Sequence, residues 1–203
     1  MLVELKGVTH FFGYRLIFKD VSLSFEPGKI YLICGNNGSG KSTLLKIIAG
    51  ILKPSKGEVI QHLPKTKIGY LGHSPGLYEY FSAWENLRFF AKIYGLKAET
   101  KEIEQILERV GLRAFKHEKV KNFSRGMKQR LNLARLFLLE PDLFLLDEPE
   151  TGLDQSFSKV LEKYVCAQVK QRQKSVIWIS HLVESKDFAY CRLMVQDKKV
   201  SLV

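Results

Sequence analysis

The chain has no long uncharged stretch. Across its 203 residues, the longest runs free of Asp, Glu, Lys and Arg are 11 residues, Ile30–Gly40 and Ile68–Tyr78. Both contain glycine, and both fall short of the roughly 18–20 residues of a membrane-spanning helix. The N-terminal run MLVELKGVTHFFGYR lacks the basic, apolar and small-residue regions of a secretory leader, so a cytosolic protein is expected. Cysteine is scarce: Cys34, Cys166 and Cys191 form an odd set without metal-ligand spacing, which points to reduced, packed thiols. Pro/Gly/Ser linkers, low-complexity tracts and internal repeats are also missing. One domain is expected, since a chain this long can bury a full core without staples.

Acidic residues are in deficit. Thirty-two Lys and Arg against 21 Asp and Glu give a net charge of +11. Such a balance suits an anionic partner: nucleic acid, a membrane surface or a phosphorylated ligand. The excess is spread, however, at +3, +3, +1 and +4 over residues 1–50, 51–100, 101–150 and 151–203. A basic stripe with interleaved aromatics is missing, so no nucleic acid partner is expected.

Short apolar runs recur at Val21–Phe25, Ile30–Cys34, Val59–Ile60, Ile68–Leu71, Leu143–Leu146, Val176–Ile179 and Leu193–Gln196. Each is bounded by Gly, Pro or charge and reads as a strand. Leu143–Leu146 and Val176–Ile179 are apolar throughout, as in parallel strands covered on both faces. From about Ser82 to Leu139 the texture turns helical, with helices expected over Trp84–Tyr94, Thr100–Val110 and Ser124–Leu139. Ser124 is placed as an N-cap. A helical block therefore interrupts an α/β frame.

The strongest local signal is Gly35-Asn36-Asn37-Gly38-Ser39-Gly40-Lys41-Ser42-Thr43, which fits the P-loop pattern. An apolar strand precedes it, and an amphipathic helix is expected after it over Ser42–Leu52. Glycines allow positive φ angles and bring backbone N–H groups close to phosphate oxygens, where the helix dipole adds to the attraction. Lys41 can bridge β- and γ-phosphates, and the Ser42 hydroxyl can ligate Mg²⁺.

A second signal is Leu143-Phe144-Leu145-Leu146-Asp147-Glu148-Pro149. A buried strand delivers Asp147 to its C-terminal tip, where open α/β sheets bind ligands. There it can hold the Mg²⁺ shell, and Glu148 can polarise an attacking water as general base.

Between the two lies Phe123-Ser124-Arg125-Gly126-Met127-Lys128-Gln129-Arg130. With this run the chain resembles the ATP-binding subunits of ABC transporters, over essentially its whole length. In that family a signature of this type opens a helix about two dozen residues before the carboxylate pair, and here the offset from Ser124 to Asp147 is 23.

The resemblance implies an α/β P-loop NTPase with a RecA-like core, an antiparallel β-subdomain and an inserted helical subdomain. The core and β-subdomain would span about 1–72 and 140–203, the helical subdomain about 73–139. It also implies roles. Phe12 would stack on adenine, with Phe11 as a rival. Ser124, Arg125 and Gly126 belong to the signature, where Ser124 and Gly126 would grip a γ-phosphate. Asp154 belongs to a D-loop, Thr151-Gly152-Leu153-Asp154. His181 matches the switch histidine, and His73 stands where the family has its Q-loop glutamine.

Arg125 and Met127 depart from the common signature, and Glu150 replaces a small polar residue. The segment Gly72-His73-Ser74-Pro75-Gly76 resembles the ATP-binding proteins of bacterial haem exporters in cytochrome c maturation. The implied machine binds ATP and Mg²⁺ between two subunits of a head-to-tail homodimer. It is peripheral on the cytoplasmic face of the bacterial inner membrane and docks integral membrane subunits through Tyr78, Tyr80, Phe81 and Trp84. Other exporters of drugs, lipids or polysaccharides are the alternative, ahead of soluble ATPases acting on DNA or ribosomes.

Overall fold

The computed structural model describes residues 1–72, 76–180 and 189–203. Six strands form one sheet in the order β5 (Ile68–Leu71), β6 (Leu143–Asp147), β7 (Ser175–Ile179), β3 (Ile30–Cys34), β8 (Cys191–Gln196) and β9 (Lys199–Leu202). The first five run parallel and β9 is antiparallel to β8. A second, antiparallel sheet holds β1 (Val3–Phe12) between β2 (Arg15–Phe25) and β4 (Lys56–Gln61). The expected α/β P-loop architecture is the one observed.

Strand composition follows from what covers each face. Along β6, Leu143 and Leu145 join a core shared with α1 (Lys41–Ile48) and the antiparallel sheet. Phe144 and Leu146 point the other way, into a core shared with α2 (Ala83–Ile93), α3 (Thr100–Arg109), α4 (Arg125–Leu139) and α5 (Gln155–Arg172). A strand packed on both sides carries no polar alternation. Each such side chain contributes roughly 1.5–3 kcal/mol relative to exposure.

Helices α2 to α4 leave the sheet after β5 and return at β6. The strands on either side are neighbours, with Ile68 opposite Leu143. The interruption is thus an excursion from one sheet. Ser82 caps α2 in a reciprocal box with Glu85, and Ser124 caps α4 by accepting from the Met127 N–H at 3.2 Å.

Strand β9 was not expected from the sequence, and α1, β1 and α5 also differ from that reading. Helix α1 ends at Ile48 rather than Leu52, because Gly50 turns left-handed (φ 70°) and its N–H closes on the Ile47 carbonyl. Strand β1 escaped notice because its alternation breaks at Gly7 (φ 57°), where pairing with β2 shifts register. Helix α5 buries only Phe157, Leu161, Val165 and Gln168, a stripe too thin to stand out among its charges.

Candidate functional site

Strand β3, buried up to Ile33, delivers the P-loop to the C-terminal edge of the parallel sheet, and α1 begins directly at Lys41. The turn needs its glycines. Gly40 is left-handed at φ 105°, and a Cβ there would collide with Ile17 Cγ2. A Cβ on Gly35 would collide with the Val195 carbonyl oxygen. The loop is therefore packed tightly from behind.

In front of it lies a cleft of about 450 Å³. Its wall includes Asn37, Gly38, Gly40, Lys41, Ser42 and Thr43 from the loop, Phe12, Arg15 and Ile17 from the antiparallel sheet, and Glu148. The N-cap of α1 is a glycine without a side-chain acceptor, and its first turn carries no acidic residue. These N–H groups are left to face an anion.

Lys41 is almost fully buried, and its ammonium donates to the carbonyls of Gly35 (2.8 Å) and Asn36 (3.1 Å). Ser39 packs its hydroxyl inside the loop, and its N–H donates to the Asn36 carbonyl. The Ser42 hydroxyl donates to Asp147 Oδ1 at 3.0 Å. Asp147 is 1% exposed at the tip of β6. Glu148 is half-buried and left-handed (φ 50°), and its N–H donates to the Ile179 carbonyl at 3.0 Å. The donor set fits a magnesium nucleotide: amide and ammonium donors for phosphate, with a hydroxyl and a carboxylate side by side for a hard cation.

Phe12, rather than Phe11, lines the cleft. It is 52% exposed and rests edge-to-face on His10, with ring centroids 4.9 Å apart. Arg15 in the same wall escaped the sequence reading, since one arginine in a hairpin carries no local signal.

Ser124, Arg125, Gly126 and Asp154 lie elsewhere, and none lines the cleft. Ser124 caps α4, and Gly126 meets the next loop, where a Cβ would sit 3.0 Å from the Gly152 carbonyl oxygen. The Arg125 stem covers Gly152, so the departure from glycine makes an internal contact. Asp154, expected at the nucleotide as part of the D-loop, stands at the start of α5. Its carboxylate caps α5 through the Phe157 N–H at 2.9 Å and pairs with Ser156 and Arg130. The Ser156 hydroxyl, the Phe157 N–H and Arg130 together hold it well below the usual carboxylate range. Gln129, also missed from sequence, is buried and donates to the Pro149 carbonyl at 2.8 Å, tying α4 to the carboxylate loop. His73 and His181 lie outside the described residues.

A P-loop at the edge of a parallel sheet, facing an Asp-Glu pair and interrupted by a helical excursion, defines a nucleotide-binding ATPase cassette. The ABC transporter family profile matches residues 18–151, and the chain belongs to that family as an ABC-type ATPase. It is 39% identical over 178 residues to the ABC transporter ATP-binding protein NatA of Bacillus subtilis, covering 82% of this chain and 72% of that one. It is 41% identical over 151 residues to the cytochrome c biogenesis ATP-binding export protein CcmA of Methylococcus capsulatus, covering 70% and 73%. The lantibiotic transport ATP-binding protein SrtF of Streptococcus pyogenes is 30% identical over 210 residues, covering 98% and 91%.

A dimeric ATP-binding cassette solved in a post-hydrolysis state with ADP and Pi superposes with a TM-score of 0.85 at 25% identity, covering 98% and 97%. An ATP-binding subunit of an ABC transporter superposes at 0.87, also at 25% identity, covering 100% and 90%. No helix among the described residues is long and apolar enough to cross a membrane.

Proposed function

We propose that the chain is the ATP-hydrolysing subunit of a membrane exporter and works as a head-to-tail homodimer. The observation that carries this reading is the meeting of Lys41, Ser42 and Glu148 in one cleft, with Asp147 directly behind Ser42. Lys41 and the α1 amides hold the phosphates, and Phe12 carries the base. Ser42 and Asp147 would hold Mg²⁺, whose charge neutralises the β- and γ-phosphate oxygens. Glu148 takes the proton of the attacking water as general base. His73 and His181 are assigned to the same reaction by resemblance, as water-positioning and γ-phosphate contacts.

Ser124, Arg125 and Gly126 are assigned to the γ-phosphate of the nucleotide on the partner copy. Their absence from this chain's own cleft and the helix N-terminus they occupy support that assignment. The dimeric relative of known structure supports it as well. ATP then closes the interface, and hydrolysis removes the charge that holds it shut.

Membrane subunits would dock beside the helical excursion, at Tyr78, Tyr80, Phe81 and Trp84. Tyr80 is 76% exposed and Tyr78 45%, while Trp84 also packs on the core. Association is peripheral, at the cytoplasmic face of the inner membrane. The finer reading is haem export for cytochrome c biogenesis, supported by the Gly72–Gly76 segment and the CcmA relative. The lantibiotic transport protein SrtF supports transport of another substrate in equal measure.

The deciding experiment is Glu148→Gln in the purified chain. ATP hydrolysis should fall about 10²–10⁴-fold, the range of a lost general base, while ATP-dependent dimers accumulate in size-exclusion chromatography. Turnover at the parental rate would remove Glu148 from the reaction. Haem-stimulated ATPase activity in the complex with its membrane subunits would select haem export over the other substrates.

A further inference from the structure

The carboxylate after Pro149 is spent inside the protein. Trp178 on β7 is fully buried, and its indole N–H donates to Glu150 Oε2 at 3.0 Å. The Ser180 hydroxyl, also buried, donates to Glu150 Oε1. A buried indole N–H and a buried hydroxyl both need acceptors, and one carboxylate serves the two with charge-assisted bonds. Two further links bracket this contact. The Glu148 N–H donates to the Ile179 carbonyl, and the Thr151 N–H closes a turn on the Glu148 carbonyl, each at 3.0 Å. The loop carrying Glu148 is thus fastened to the end of β7 by backbone on one side of Pro149 and by side chain on the other. Ser180 is followed in the chain by His181.

We propose that Glu150 is a positioning residue that holds Glu148 in register with the end of β7. This rests on the ATPase reading above and adds to it the residue that keeps the base in place. A smaller residue here would remove the side-chain tie between this loop and the end of β7. The left-handed Glu148 (φ 50°) would then be free to relax toward ordinary geometry, out of line with the attacking water.

The test uses the full chain with Glu150→Ala and Glu150→Gln, read by steady-state ATPase kinetics, thermal melting and ¹⁵N-indole NMR. The chain has two tryptophans, so Trp84→Phe assigns the two indole signals. For Glu150→Ala the Trp178 indole proton should move upfield, kcat should fall about tenfold and KM for ATP should stay within about twofold. Glu150→Gln keeps one carbonyl acceptor and should recover most of the rate. An unmoved indole signal, or parental kcat with a moved signal, overturns the proposal. So does a loss of KM and melting temperature that Glu150→Gln fails to recover, since that is a folding role. If the parent's turnover survives Glu148→Gln, the general-base reading of Glu148 fails, and with it the premise that Glu150 positions a base. In that case the indole signal still reports whether the Glu150 contact exists.

Discussion

The Ser42 hydroxyl donates to Asp147 Oδ1 at 3.0 Å across 105 residues of sequence. Strand β7 lies between β3 and β6 in the sheet, so the first turn of α1 reaches over one strand to meet the tip of β6. The pair sets a hydroxyl on the wall of the cleft that Lys41 borders and a buried carboxylate directly behind it. We expect Asp147→Asn to cut Mg²⁺-dependent hydrolysis by about 10²-fold, because it removes the charge that would hold the cation's shell. Ser42→Ala should shift the Mg²⁺ requirement to higher concentration. Magnesium titrations of ATPase activity measure both, and an unchanged titration for Ser42→Ala would remove the hydroxyl from the site.

Gly40 sits at φ 105° with its missing Cβ directed at Ile17 Cγ2. Gly40→Ala meets both backbone strain and a packed neighbour, so we expect a loss of about 2–4 kcal/mol in urea denaturation. Nucleotide binding should fall with it, since the P-loop and Ile17 share the cleft wall. Native-like stability would mean that the hairpin carrying Ile17 moves aside freely.

Phe12 lines the cleft while its neighbour Phe11 does not, because successive strand residues face opposite ways. Base-on-ring stacking contributes about 1–3 kcal/mol. Phe12→Ala should therefore weaken fluorescent ATP-analogue binding about tenfold, and Phe11→Ala less than about twofold. The reverse order would assign the base to the other face of β1.

His10 is buried against the rings of Phe12 and Phe18, and burial pushes its imidazole below the ordinary histidine value. Both ring nitrogens lack a hydrogen-bond partner among the described residues. The unfolded chain takes up this proton near pH 6.5, and the folded chain only at lower pH. Stability tied to His10 is therefore complete above about pH 6.5 and falls as pH drops toward the lowered folded value. Urea midpoints should be lower at pH 5.5 than at 7.5, with a shallower pH slope in His10→Phe. Identical slopes would show that the ring titrates as freely as in the unfolded chain.

Local signals carried much of this protein. The nine residues Gly35 to Thr43 specify their own loop, since positive φ angles and a strand-to-helix turn are written in consecutive residues. Leu143–Leu146 announced a strand covered on both faces because none of its four residues can face water. The Ser124 cap was legible for the same reason: its hydroxyl reaches only three residues along the chain. Strand β1 and helix α5 were not legible. A bulge interrupts one pattern, and the other shows the core too narrow a face.

By itself the sequence determined the phosphate loop, the carboxylate pair and the buried strands, each set by the conformations of neighbouring residues. Tertiary structure alone decided which distant groups meet. Sheet order brought Ser42 to Asp147 and chose Phe12 over Phe11 for the cleft. It also gave Glu150 to Trp178 and Ser180, and Asp154 to Arg130. A carboxylate's partners depend on which donors burial leaves in need of an acceptor, and that follows from how strands and helices stack rather than from spacing along the chain.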